Sequence, residues 1–98
     1  MAQPAARVGD MTSHGTPLGP GPGSATVLIE GRPAWRARVD QHVCPLTNGM
    51  VPHIGGAVAV ASVTVLVGGY PAARQADVVV EAQGPNPIVA GARSVMIG

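Results

Sequence analysis

One unit occurs three times in this chain, and that repetition limits the possible folds more than any other feature. Aligned on proline, "PAARVGD" (4–10), "PAWRARVD" (33–40) and "PAARQAD" (71–77) share a Pro-Ala start, an arginine at the fourth position and a downstream aspartate. The second copy carries Trp35 and one extra residue before Asp40, so a local bulge is expected there. A companion element repeats as "TVLIEGRPA" (26–34), "TVLVGGYPA" (64–72) and "SVMIG" (94–98). Its apolar, β-branched run predicts a short strand, and the glycines after it permit a turn at positive φ. Proline beyond the turn fixes φ and removes a donor, which suits a strand edge. Each Arg and Asp, three or four residues apart, can pair across the turn. The first copy of the unit begins at its proline and the third stops at its glycine, so the unit is cut internally.

Fourteen glycines and ten prolines leave no room for long helices. The segments "GTPLGPGPGSA" (15–25) and "GPNPIVAGA" (84–92) read as connecting turns, the first as a tight series rather than a flexible linker. The apolar residues are mostly Ala and Val, with one Trp, one Tyr and no Phe, so the core is thin. A single domain over residues 1–98, with no effector extension, therefore needs a staple, and one cysteine cannot make an internal disulfide. Metal or a partner remains.

The six arginines are scattered, lysine is absent and the net charge is +1. These features argue against nucleic-acid binding, which calls for a basic patch with stacking aromatics. "MAQPAARVGDMTSHG" has no apolar signal core. The uncharged stretch Ile54 to Ala73 approaches membrane-span length, but its glycines and Pro71 fit two strands and a turn better. The expectation is a soluble chain, not an integral membrane protein.

Every histidine and cysteine of the chain follows a repeat aspartate: His14 after Asp10, then His42, Cys44 and His53 after Asp40. The third repeat offers Val78, Val79, Val80 and Glu81 at the matching place and is read as lacking a ligand. Each histidine alone also reads as a surface or turn residue, and Cys44 as a small buried hydrophobe. If the repeats surround an axis, these segments converge at one pole. Three nitrogens and one thiolate then suit tetrahedral Zn²⁺, and four protein donors make a closed, structural site.

The motifs "PAARVGDMTSHG", "TVLIEGRPAWRARVD", "QHVCP", "TVLVGGYPAARQAD" and "SVMIG", in this order, resemble the PAAR-repeat proteins that tip type VI secretion spikes. The resemblance covers nearly the whole chain. It implies an all-β fold: a small cone of three repeats with pseudo-threefold symmetry, seated on a trimeric VgrG spike. It also implies one zinc ion near the apex, held by His14, His42, Cys44 and His53.

The expected role is structural, with no enzymatic activity: one chain, a monomer when free, caps one trimer, covers its strand edges, sharpens it for membrane puncture and helps load effectors. Such a protein would be cytoplasmic before firing and delivered afterwards. Val95 and Ile97 are candidates for the base. An equivalent tip of a phage tail or other contractile injection particle fits the same residues. A small metal-dependent hydrolase fits poorly. It needs an open metal position and a base, and besides Glu81 the plausible bases are the three aspartates, which recur with the repeat.

Overall fold

The computed structural model describes residues 2–48, 51–81 and 84–98, with side chains described outside 45–54. Among these there is no helix; eleven short strands carry the fold. They are β1 (Gln3–Ala5), β2 (Pro20–Gly21), β3 (Leu28–Ile29), β4 (Arg32–Pro33), β5 (Gln41–Asn48), β6 (Val51–Val58), β7 (Leu66–Val67), β8 (Tyr70–Pro71), β9 (Val78–Glu81), β10 (Gly84–Pro87) and β11 (Ala92–Ile97). The molecule measures 38 × 26 × 21 Å along its principal axes.

Three equivalent hairpins follow from the repeat. Leu28 pairs with Pro33 in β3–β4, Leu66 with Pro71 in β7–β8, and Met96 with Pro4 where β11 meets β1. The third hairpin is thus assembled from opposite ends of the sequence, and it restores the unit that the alignment shows as cut. The two continuous hairpins turn through Glu30-Gly31 and Gly68-Gly69, with positive φ at both central residues of each. That is the signature of the two-residue turn whose twist matches paired strands, and it explains the glycines.

The PAAR segments close a ring around the pseudo-threefold axis. Ala6 N–H donates to the Ala73 carbonyl, Ala73 N–H to Trp35 and Trp35 N–H to Ala6, each at 3.0 Å. A second ring surrounds it, in which Val8, Ala37 and Gln75 donate to the carbonyls of Pro33, Pro71 and Pro4 at 2.8–2.9 Å. Further along, Gly9, Arg38 and Ala76 donate to Leu18, Val58 and Ile88, all at 2.8 Å. Those three acceptors are buried in one core with Trp35. Trp35 occupies the ring position that Ala6 and Ala73 hold in the other repeats, and its wholly buried indole supplies volume that alanines cannot.

Each repeat is locked by the same ion pair. Arg7–Asp10, Arg36–Asp40 and Arg74–Asp77 are bidentate, with Nε to Oδ2 at 3.0–3.1 Å and Nη2 to Oδ1 at 2.8–2.9 Å. In every copy Oδ2 also accepts from the arginine's own backbone N–H at 2.7–2.8 Å. Hydrogen bonding to its aspartate raises each arginine's pKa above the usual value, against a smaller opposing effect of burial. The extra residue of the second copy is absorbed in a longer turn with Arg38 at positive φ, rather than in a strand bulge. The Asp10 N–H and Asp77 N–H bond the carbonyl three residues back, whereas Asp40 N–H reaches Arg36 four residues back.

Two connecting segments depart from their expected character. "GTPLGPGPGSA" contributes β2, which pairs with β5, and buries Leu18. It is clamped by Asp40, which accepts from Gly23 N–H at 2.9 Å, while Arg36 donates to the Gly23 carbonyl at 3.1 Å. "GPNPIVAGA" contributes β10, the edge strand beside β9. Proline fits both because each strand lies at an edge of the five-stranded sheet β10-β9-β6-β5-β2.

The candidate base residues also need correction. Ile97 is buried against Ala5, Ile29 and Val67, and Val95 packs partly on the same cluster. The period of two puts Met96 outside instead.

Candidate metal centre

The centre is assembled from one loop and three neighbouring strands. In β5 the alternation buries His42 and Cys44 and exposes Val43; in β9 it buries Val79 and Glu81 and exposes Val80. Strand β6 lies between them, with Gly56 opposite His42 on one side and opposite Glu81 on the other. Glycine is required at this position. A Cβ on Gly56 would stand 1.9 Å from the Val80 carbonyl oxygen, and one on Gly55 would stand 2.0 Å from that of His42. With no side chain between them, His42 Nε2 and Glu81 Oε2 come within 3.7 Å across a whole intervening strand.

His14 arrives on the loop between Met11 and Pro17, which are themselves bridged. Thr12 closes this loop, its backbone N–H and hydroxyl both donating to the Thr16 carbonyl at 3.2 and 2.7 Å. Asn86 on β10 holds the loop against the sheet. Its Oδ1 accepts from His14 N–H at 3.0 Å and the Ser13 hydroxyl at 3.1 Å. Its Nδ2 donates to Thr12 Oγ1 at 3.0 Å and Glu81 Oε2 at 2.7 Å. Both donors and both acceptor sites of this buried amide are in use, so its orientation is fixed.

The result is a compact donor group. His14, Cys44 and Glu81 each offer an atom within 4.8 Å of the other two. His14 Nδ1 lies 3.2 Å from Glu81 Oε1 and 3.8 Å from Cys44 Sγ. Thr16 Oγ1 lies 3.1 Å from His42 Nε2 and 3.9 Å from Cys44 Sγ, tying the second histidine to the same spot. Burial pushes the His42 pKa below its ordinary value and the nearby His14 adds to this, while Glu81 and the Pro17 carbonyl oppose it. A neutral imidazole is the form that binds metal.

Of the four donors expected from the sequence, His14, His42 and Cys44 are therefore gathered. The backbone of His53 belongs to β6, and its side chain lies outside the described residues. Glu81 was missed. In sequence it ends a run of three valines and resembles a solvent-facing charge; only the pairing of β6 with β9 turns it inward. The third repeat, read from the sequence as lacking a ligand, brings the Glu81 carboxylate beside this group. The donor chemistry of the group suits a divalent metal ion: a thiol, imidazole nitrogens and a carboxylate in a mostly buried position.

The described residues thus form an all-β molecule of three like units closed around an axis, with a metal-capable group that draws a side chain from each. The sequence profile described as the PAAR motif matches residues 8–51 and again 48–98, and the chain belongs to that family. Comparison with individually curated proteins gives no significant match. The family comprises spike-tip proteins of type VI secretion systems, a structural rather than catalytic role. Among the described residues, no helix is long and apolar enough to cross a membrane.

Proposed function

We propose that this chain tips a type VI secretion spike by capping one trimeric VgrG-type protein with its three hairpins. The observation that carries the reading is the equivalence of Leu28, Leu66 and Met96. These occupy the same place in the three hairpins and are 62%, 61% and 52% exposed, while the next residues, Ile29, Val67 and Ile97, are buried. A monomer that spends three large apolar side chains on threefold-related surface positions is matched to a threefold-symmetric apolar partner.

In this role the chain performs no reaction. One structural zinc ion, drawing its donors from His14, His42, Cys44 and His53, ties the repeats together where the thin core gives little support. The protein waits in the cytoplasm, is delivered with the spike and carries effectors by way of its surface.

Mixing the purified chain with its cognate spike and measuring the complex mass tests the reading. One chain per trimer is expected, with little loss of affinity in high salt because the contact is apolar. Leu28→Asp with Leu66→Asp should abolish the complex while leaving the metal content unchanged. A complex with three chains per trimer, or full binding by the double variant, would overturn the capping assignment.

A further inference from the structure

The three hairpins present like residues at the surface, but only two of them are closed by a turn. β3–β4 turns through Glu30-Gly31 and β7–β8 through Gly68-Gly69, whereas β11 and β1 come from opposite ends of the sequence. Pairing these two closes a loop of nearly the whole chain, which costs more entropy than closing a two-residue turn. The pairing is also thin. It runs through Gln3↔Ile97 and Pro4↔Met96, then shifts to Ala5↔Ala92 and passes over residues 93–95. Pro4 brings no N–H to it. This split hairpin nevertheless carries Met96, one of the three exposed apolar positions.

Side chains of the neighbouring units hold it. Glu30 Oε2 accepts from the Ser94 N–H at 3.1 Å and from the Ser94 hydroxyl. Its Oε1 accepts from Arg7 Nη1 at 3.0 Å. Ser94 lies in β11 and Arg7 two residues beyond β1, so one carboxylate grips both strands. At the open end, the Gly98 carbonyl oxygen accepts from the Ser62 hydroxyl at 2.6 Å and the Thr64 hydroxyl at 3.3 Å. The related turn of β7–β8 has Gly68 where β3–β4 has Glu30, and there Arg36, the counterpart of Arg7, lies over the Tyr70 ring, 5.9 Å from its centre. Glu30 has φ 51°, a conformation that glycine adopts with less strain. Its own turn does not call for glutamate. The split hairpin beside it does.

We propose that Glu30 is a positioning residue for the spike interface: its carboxylate clasps β11 to β1 in place of a covalent turn and so fixes Met96 relative to Leu28 and Leu66. The purpose given to Met96 rests on the capping reading above, while the clasp itself concerns this chain alone.

The test compares wild type, Glu30→Gly and Ser94→Ala, each as the linear chain and as a chain cyclised by joining Gly98 to Ala2. The register leaves Gly98 and Ala2 between Ile97 and Gln3, the same two-residue spacing as in the continuous turns. Glu30→Gly installs the residue of the related turn, so β3–β4 should keep its form. In the linear chain, amide hydrogen exchange in β11 should speed up about tenfold for Glu30→Gly and about threefold for Ser94→Ala, with β7–β8 unchanged. Affinity of linear Glu30→Gly for the cognate trimeric spike should fall about fivefold or more, although Leu28, Leu66 and Met96 are all retained. Cyclisation should restore both.

Exchange in β11 that Glu30→Gly leaves unchanged overturns the clasp. So does a cyclised Glu30→Gly chain whose β11 exchange stays fast, since the glutamate would then be serving its own hairpin. Affinity that stays low after cyclisation has restored β11 overturns the positioning role and makes Glu30 a direct contact. Wild-type protein that binds no cognate spike overturns the capping reading and the purpose given to Met96, and the exchange measurement then decides the clasp by itself.

Discussion

At the scale of single residues, the arginine–aspartate pairs show how a repeat is kept. Each aspartate satisfies a backbone N–H as well as a guanidinium, so losing the Arg74 side chain leaves the buried Asp77 carboxylate with only the backbone bond of these three. Arg74→Ala should therefore lower unfolding free energy by about 2 kcal/mol, less than for a wholly buried pair because Arg74 is partly exposed. Thermal or denaturant unfolding measures this, and a variant of wild-type stability would assign Arg74 to a contact outside the molecule. Glu30 breaks the threefold pattern, since the hairpin related to it has Gly68 at that place. It accepts from both the backbone and hydroxyl of Ser94, and from Arg7 Nη1 at 3.0 Å. The Ser94 hydroxyl contributes most to holding its carboxyl below the ordinary value of 4.5, with the Ser94 N–H and then Arg7 adding to the effect. The folded state thus favours the ionised form. This contribution to stability is fully present above about pH 4.5 and is lost as the pH falls through the lower, folded value. Unfolding curves of wild type and Glu30→Gln should converge as the solution is acidified; a gap that widens instead would contradict the assignment.

Among the elements, β6 decides the most with the least side chain. Its glycines let β5 and β9 approach from either side, and the metal-ligating residues meet over that gap. Gly56→Ala would drive a methyl into the Val80 carbonyl, which belongs to backbone and cannot rotate away. The expected outcome is a shift of β9 away from β6, with loss of several kcal/mol of stability and at least tenfold weaker zinc binding. Chelator competition and thermal unfolding check both, and unimpaired metal binding would show that the strand spacing does not matter. The hairpins distribute their work differently. Along "VLI", "VLV" and "VMI" the three positions are half-buried, exposed and buried in turn in every copy. One residue of each strand serves the core and its neighbour serves the surface.

For the molecule as a whole, two kinds of closure hold the threefold arrangement. The backbone rings join the PAAR segments, and β11 pairs with β1 to bring together the ends of the repeat series. The metal centre joins the segments that leave those rings. The inner residues are largely alanine and valine, so the hydrophobic contribution is small for a chain of this length. Removing zinc with a chelator should accordingly lower the midpoint of thermal unfolding by ten degrees or more on the scale of about 4–8 °C per kcal/mol for a domain of this size. Restoring one equivalent of zinc should recover it. A midpoint indifferent to the chelator would mean that the rings and core suffice without the ion.

The sequence by itself determined the repeat, the all-β character, the arginine–aspartate pairs and the candidacy of His14, His42 and Cys44. These follow from local rules: glycine and proline placement, strand alternation, and donor types too rare in this chain to be scattered without purpose. It also showed the unit as cut, but not that its two ends meet, because pairing between Pro4 and Met96 leaves no trace in the neighbours of either. Tertiary structure alone placed Glu81, Asn86 and Trp35. Glu81 turns inward because β9 pairs with a glycine-bearing strand, and Asn86 is drawn in by a loop more than seventy residues away. Tertiary structure also chose Met96 over its neighbours for the surface. A period of two says which residues share a face, but which face is covered depends on what the rest of the chain packs against it.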